Sequence, residues 1–290
     1  MREVGKQAQN LHEFVRNNKQ RARVLAVTSG KGGVGKTSIS VNLAIALAGL
    51  NLRVVLLDAD LGLANVEVLL GLNSLTNLQQ VIQGERRMTD ILVEGPGGIR
   101  IVPGSSGISR LADLGPVARK RVLDGIEDLH YYADCILIDT MAGIGQNAAG
   151  FAAAADEVLL VTTPEPSAIV DAYAMLKTIF QMRQDAVFRL IVNLAMNEQQ
   201  ALAVAQKLKT VAHQYLDCEL FYLGYIPRDP HVSRGVMQTR PFFLQYPAAP
   251  ASRRIDELAR KLFDMRVTMP SGLPGFLRRF AENLGLVSNA

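Results

Sequence analysis

The stretch that decides the fold is Val24–Thr37, VLAVTSGKGGVGKT. Val24–Ser29 is a short apolar run that reads as a core strand. Gly30–Thr37 matches G-x-x-x-x-G-K-[ST], and Ser38–Leu50 follows with helical spacing at Val41, Leu43, Ala44, Leu47 and Ala48. A strand, a glycine loop and a helix in that order form a cradle whose backbone amides meet phosphate oxygens. The same glycines also fit G-x-G-x-x-G through Gly30, Gly32 and Gly35, with Asp58 near the end of the next strand as a ribose-binding acid. Lys36 and Thr37 separate the two readings. A dinucleotide site has no use for a lysine aimed at phosphate or a hydroxyl ready for Mg²⁺; a triphosphate site needs both. Cys135-Ile-Leu-Ile-Asp139 adds an acid at the tip of a distant apolar strand, positioned to hold the metal's water shell.

Working outward, Arg53–Leu57 reads as a strand ending at Asp58 and Asp60. Further strands are expected at Ile99–Pro103, Cys135–Asp139, Glu157–Thr162, Phe188–Asn193 and Glu219–Ile226, with helices around 117–130, 167–182, 198–212 and 250–265. This alternation predicts an α/β fold, a mostly parallel sheet flanked by helices on both faces. At 290 residues and 49% apolar, the chain fits one large domain with short appendages. Its two cysteines, Cys135 and Cys218, make neither a disulfide framework nor a zinc or iron–sulfur site, so a reducing cytoplasm is the expected setting. No segment approaches the ~18 uncharged residues of a spanning helix, and the start has no unbroken apolar run of a signal peptide. A net charge of +4 suits anionic membranes or nucleic acid without choosing between them.

Two amphipathic appendages flank the core. At the front, Val4, Ala8, Leu11 and Val15 fall on one helical face; at the back, Leu273, Phe276, Leu277, Phe280 and Leu284 do the same after Pro270-Ser-Gly. Ser271 suits a cap and Pro274 a first turn. The expected division is 1–22, an N-terminal helix; 23–266, the nucleotide domain; and 267–290, the tail.

Lys31 is the unusual residue of the loop, since an ordinary phosphate loop does not require a lysine there. Two triphosphates facing each other across a dimer repel, and a lysine lent by each subunit to the other's phosphates would offset that. Lys31–Thr37 resembles the deviant Walker A motif of the MinD/ParA family of P-loop ATPases. Asp58-Ala-Asp60 resembles its switch I, and Asp139-Thr-Met-Ala-Gly143 its Walker B and switch II. The resemblance implies ATP and Mg²⁺ as ligands, held by Gly30, Lys31, Gly32, Gly33, Val34, Gly35, Lys36, Thr37 and Ser38. It gives Lys31 a role across an ATP-bound homodimer and makes Lys36 the phosphate-binding lysine. Thr37 becomes a direct Mg²⁺ ligand, while Asp139 holds the ion through water. Asp60, also near the metal, orients the attacking water. Gly143 offers an amide near the γ-phosphate, and Asn193 and Pro227 meet adenine, although Leu194 stands where several relatives have Arg.

Within the family, Asp58–Gly71, Gly95–Pro103 and Glu165–Tyr173 resemble the FlhG/FleN branch, which regulates flagellar number or placement. That branch implies an FlhF-like GTPase, flagellar switch-complex (C-ring) proteins or a flagellar transcription activator as partners. Lys6-Gln-Ala-Gln-Asn-Leu-His12 resembles its GTPase-stimulating motif D-Q-A-x-x-L-R, with Lys6 replacing the acid and His12 the arginine. The tail resembles the branch's membrane-targeting helix, so peripheral association with the inner face of the cell membrane, at a pole, is expected for the ATP-bound dimer. The same apolar face also suits docking on the protein's own body, and the two arrangements can alternate. Competing readings are a MinD-type division-site ATPase, a ParA-type DNA-partitioning ATPase, and a metabolic synthetase or iron–sulfur carrier on the same fold. A lipid-suited tail argues against direct DNA binding, and the absence of a Cys-x-x-Cys bridge argues against the carrier.

Overall fold

A computed structural model describes residues 22–60, 65–104, 115–264 and 272–283. The N-terminal segment 1–21, Ser271 and Leu284 lie outside the described residues, as do parts of the switch I run. Among the described residues eight strands form one sheet: β1 Arg23–Ser29, β2 Val54–Ala59, β3 Val93–Glu94, β4 Arg100–Val102, β5 Cys135–Ala142, β6 Glu157–Thr162, β7 Val187–Ala195 and β8 Leu220–Pro227. Their order across the sheet is β3-β4-β2-β5-β1-β6-β7-β8. All neighbours run parallel except β3 with β4.

Central strands buried on both faces need apolar residues at every position rather than at alternate ones. Val54–Ala59 and Glu157–Thr162 are buried throughout. Alternate residues of one strand go to opposite sides: Val24 and Ala26 join one core, Leu25 and Val27 the other. One face carries α1 Lys36–Gly49 and α10 Pro250–Asp264, with the short α2 Asn65–Leu70 beside them. The other carries α3 Leu78–Gln83, α4 Pro116–Asp128, α5 Gln146–Ala154, α6 Pro166–Met182 and α7 Glu198–Leu216. Two further helices, α8 Pro230–Met237 and α9 Phe242–Gln245, follow β8, and α11 Gly272–Asn283 ends the described chain.

Several of these elements are too short or too apolar in pattern to be read from spacing. The six-residue α2 and α3, the alanine-rich α5 and the two-residue β3 all lack a long hydrophobic period. Ala22, assigned to the front appendage by sequence, is fully buried and belongs to the body. At the far edge, Lys261 of α10 donates to the Leu223 carbonyl at 3.1 Å, and Arg254 stacks 4.5 Å over the Tyr225 ring. Both side chains cover the outer strand β8.

The tail is helical but not free. Phe276 and Phe280 are buried in the same core as Phe151 of α5, and Leu277 is partly buried. Of the five side chains expected to line a lipid-facing stripe, two are therefore interior residues of this structure. Leu273 lies in the helix by its backbone.

At the N-terminal ends of the strands, the buried Glu157 carboxylate takes Arg23 on one oxygen and Arg189 on the other, the Arg23 Nε bond measuring 2.6 Å. Arg23 also donates to the Leu262 carbonyl at the end of α10. One acid thus joins β1, β6, β7 and α10. Removing its charge strands two partly exposed guanidiniums, so Glu157→Gln is expected to cost about 3 kcal/mol, read as a lower urea midpoint with the fold retained by circular dichroism.

Candidate nucleotide site

The site begins at the C-terminal end of β1, in the sheet's centre, where α1 starts. Gly35 is the N-cap of α1 with φ 87°, a left-handed conformation that favours glycine. No side chain caps the first-turn amides, and no acid lies in that turn. Unsatisfied N–H groups at a helix start, backed by the helix dipole, favour an anion. Gly30 is required for another reason. A Cβ there would lie 1.9 Å from the Asp171 carbonyl oxygen, because the backbone of α6 passes directly over the loop.

Asp139 gathers the chemistry. Its Oδ1 accepts from Lys36 Nζ at 2.9 Å and from Ser40 Oγ at 2.7 Å, and its Oδ2 accepts from Thr37 Oγ1 at 2.7 Å. The carboxylate is fully buried, so this triple engagement is what makes its burial tolerable. Ser40, one helical turn beyond Lys36, carries no motif signal and is found only by its geometry. Asp58, the register partner of Asp139 on β2, is a second buried acid beside it. Its oxygens accept the Asp60 amide at 3.1 Å and the Val66 amide at 3.2 Å. Burial, with the Asp139 charge alongside, pushes the Asp58 carboxyl up to about 8 despite those two amides. Asp60 stands at the mouth of the cleft, its Oδ2 accepting from Asn65 at 2.8 Å.

Lys31 turns to its own chain. Its Nζ donates to Glu165 Oε2 and Ser167 Oγ, each at 2.8 Å, at the start of α6. The pair is exposed and the lysine beside it holds Glu165 below the usual carboxylate range. Gly143, expected to present its amide toward phosphate, instead donates it to the Ser29 carbonyl at 3.0 Å with φ 96°. Its amide is occupied in this state, so offering it to a ligand requires switch II to shift.

A cleft of about 450 Å³ lies over the loop, lined by Lys31, Gly33–Ser38, Asp60 and Val236 among others. A second, apolar recess of about 350 Å³ adjoins it between Asn193, Leu194, Ile226, Val232, Val236 and Met237. Asn193 Nδ2 donates to the Val34 carbonyl at 2.7 Å, tying the recess to the loop. Leu194 holds φ at 57°, where β7 slips register against β8 near Pro227. Gly32 of the same loop lies 3.9 Å, measured from an added Cβ, from Ala142 at the end of β5.

The residues fit a magnesium-bound triphosphate. Ser38 Oγ is buried between the two recesses with no hydrogen-bond partner among the described residues, an orphan that a phosphate oxygen would satisfy. Among the described residues no three His, Cys, Asp or Glu form a metal cage. One hydroxyl from Thr37 and the Asp139 carboxylate suit an ion that keeps its waters and leans on phosphate, as Mg²⁺ does.

A family model for ParA, described as the NUBPL iron-transfer P-loop NTPase, matches residues 20–263. The chain belongs to the ParA/MinD family of P-loop NTPases. It is 42% identical over 262 residues to the antiactivator FleN of Pseudomonas aeruginosa, covering 90% of this chain and 93% of that one. It is 36% identical over 276 residues to the flagellum site-determining protein YlxH of Helicobacter pylori, covering 93% of each. In fold it is similar to the septum site-determining protein MinD of Pyrococcus horikoshii, solved with Mg-ADP. There the TM-score is 0.68 at 24% identity, over 84% of this chain and 96% of that one.

Asp58 makes the ligand-free protein pH-sensitive. Its folded pKa of about 8 lies above the unfolded value of 3.8, so its contribution is complete below about pH 4 and is lost as pH rises through about 8. Between pH 6 and 8 the nucleotide-free protein is expected to lose about 2 kcal/mol from this group, visible as a falling urea midpoint. Asp58→Asn should flatten that slope.

Proposed function

We propose that the protein is an ATP-dependent dimerising switch regulating flagellar number or placement. ATP hydrolysis follows from membership of a P-loop NTPase family; the switch and its output are our reading. The observation that carries it is Lys31, resting on Glu165 and Ser167 beside a loop built to take phosphate. An exposed ion pair contributes little to stability, so this lysine is held loosely enough to be redirected. A facing triphosphate in a second copy offers it a far denser negative charge.

When bound, Mg²⁺ would neutralise charge on the phosphates, held directly by Thr37 and through water by Asp139. Lys36, now paired with Asp139, would turn to phosphate oxygens, and Ser38 would gain the partner it lacks. Asp60 would orient the attacking water, with Asn65 fixing its carboxylate. Adenine would take the apolar recess near Asn193 and Pro227. Among the described residues no arginine lines the cleft, so slow turnover is expected until a partner assists.

Switch II leads directly from β5 through Gly143 into α5, on which the tail helix packs. Movement of Gly143 off the Ser29 carbonyl would shift α5 and loosen the tail, freeing Phe276 and Phe280 for the inner face of the cell membrane. Two tails on one dimer bind with avidity that one lacks. Partners in this reading are an FlhF-like GTPase, C-ring proteins or a flagellar transcription activator, the last favoured by the name of the FleN relative. An iron-transfer role gains no support from the chain's own residues, because its two cysteines, Cys135 and Cys218, are buried apart on β5 and before β8.

Light scattering after size exclusion, with ATP, tests the switch. Lys31→Ala should remain monomeric, while Asp60→Ala should accumulate dimer; equal monomer content in both variants contradicts the mechanism. Glu165→Gln, which releases Lys31 without touching the phosphate site, should lower the ATP concentration for half-maximal dimerisation by roughly a few-fold. Vesicle sedimentation of the Asp60→Ala dimer, set against plasmid DNA, separates membrane binding from the DNA-partitioning alternative.

A further inference from the structure

The groove that holds the tail has a definite chemistry. Phe280 lies 4.3 Å and Phe276 6.4 Å, centroid to centroid, from the Phe151 ring of α5, and the two tail rings stack 5.6 Å apart. Arg279 donates Nε and Nη2 to the Ala154 carbonyl at 2.9 and 2.7 Å, and stands 3.4 Å from Asp156. Asn283 Nδ2 reaches the Gly150 carbonyl at 3.4 Å. The groove therefore selects an amphipathic helix bearing two apolar side chains four residues apart and a cation that reaches the end of α5.

The chain carries a second amphipathic segment with two apolar side chains four apart, its cations following that pair instead of falling within it, and it joins the body beside the groove. Ala22 is fully buried in the same apolar cluster as Phe151, Phe276 and Phe280, and its amide donates to His130 Nδ1 at 3.3 Å. The strand that follows Ala22 runs against α11. The chain therefore enters the body at Ala22, on the strand that packs against the tail helix. Residues 1–21 offer Leu11 and Val15, four apart, with Val4 and Ala8 on the same helical face and Arg16, Lys19 and Arg21 as cations.

We propose that the groove is shared, and that the N-terminal segment occupies it when the tail leaves. The inference rests on the tail release described under Proposed function. A departed tail uncovers the Phe151 ring and the Ala154 carbonyl, a kind of apolar surface that folded proteins keep covered unless it has a partner. A segment tethered at the groove's rim has an effective concentration in the millimolar range, so weak intrinsic affinity suffices to fill it. The two ends of the chain then alternate: tail docked with the front segment available, or tail on lipid with the front segment docked. By linkage, any partner that captures the front segment weakens vesicle binding by the same factor that vesicles weaken its own.

Hydrogen exchange on the full chain tests this. In the wild-type protein without vesicles, amides of residues 4–16 should exchange fast. In Phe276→Ser/Phe280→Ser, whose tail cannot dock, they should slow by about tenfold or more, and adding Leu11→Asp should restore fast exchange and expose α5. Fast exchange of residues 4–16 in the undocked variant, together with deprotected α5, overturns the proposal. Should the double serine variant lose its cooperative unfolding, Arg279→Glu, set against the Ala154 carbonyl and Asp156, gives the same reading. Phosphatidylglycerol vesicles with a non-hydrolysable ATP analogue address the underlying premise separately. A tail that stays docked there refutes membrane release, while protection of residues 4–16 in the undocked variants still supports a shared groove.

Discussion

The Asp139 carboxylate, buried at the sheet's centre, holds the phosphate loop and the first turn of its helix against the sheet. Lys36, Thr37 and Ser40 all donate to it, so the start of α1 is fastened to β5 by three hydrogen bonds. The three donors satisfy the buried acid between them. In the proposed switch a triphosphate would compete for Lys36 and a divalent ion for Thr37, with Asp139 kept nearby. Binding would then be an exchange of partners around a fixed acid, which avoids leaving a charge buried and alone. Asp58 on the neighbouring strand responds to the same acid, its carboxyl kept protonated by burial and by the Asp139 charge.

From this centre two arms lead outward. Along β5 the chain passes Gly143 and enters α5, beneath the tail. Through the loop, Gly30 admits the α6 backbone so closely that a side chain would collide with the Asp171 carbonyl. That contact sets the start of α6, and with it Glu165 and Ser167, within reach of Lys31. The nucleotide loop, the lysine and the tail are therefore positioned by direct packing rather than by long loops.

Much of this was legible in the residues. The parallel α/β sheet followed from apolar runs alternating with helical spacing, and Lys36, Thr37 and Asp139 met at one point as their motifs implied. Spacing did not reveal Asp58 and Ser40 as neighbours of that point, because a buried acid and a helix serine acquire their roles only from strand register and helical pitch. Nor did it show where Lys31 rests, since Glu165 lies 134 positions away along the chain. The Gly143 amide was expected near the γ-phosphate; that it donates to the Ser29 carbonyl here is a backbone detail no side-chain pattern encodes. The tail's apolar stripe was expected on lipid, with docking on the body as the alternative; that Phe151 covers it in this structure depends on α5, a helix whose alanine-rich sequence gives almost no period.

The covered rim of β8 has a consequence for assembly. With Lys261 bonded to the Leu223 carbonyl and Arg254 laid over Tyr225, that margin of the sheet is poorly suited to recruiting a strand from another molecule. Open-ended stacking of copies through backbone pairing is thereby discouraged there. Any association at that margin has to use side chains rather than strand pairing, which leaves the sheet itself intact when partners come and go.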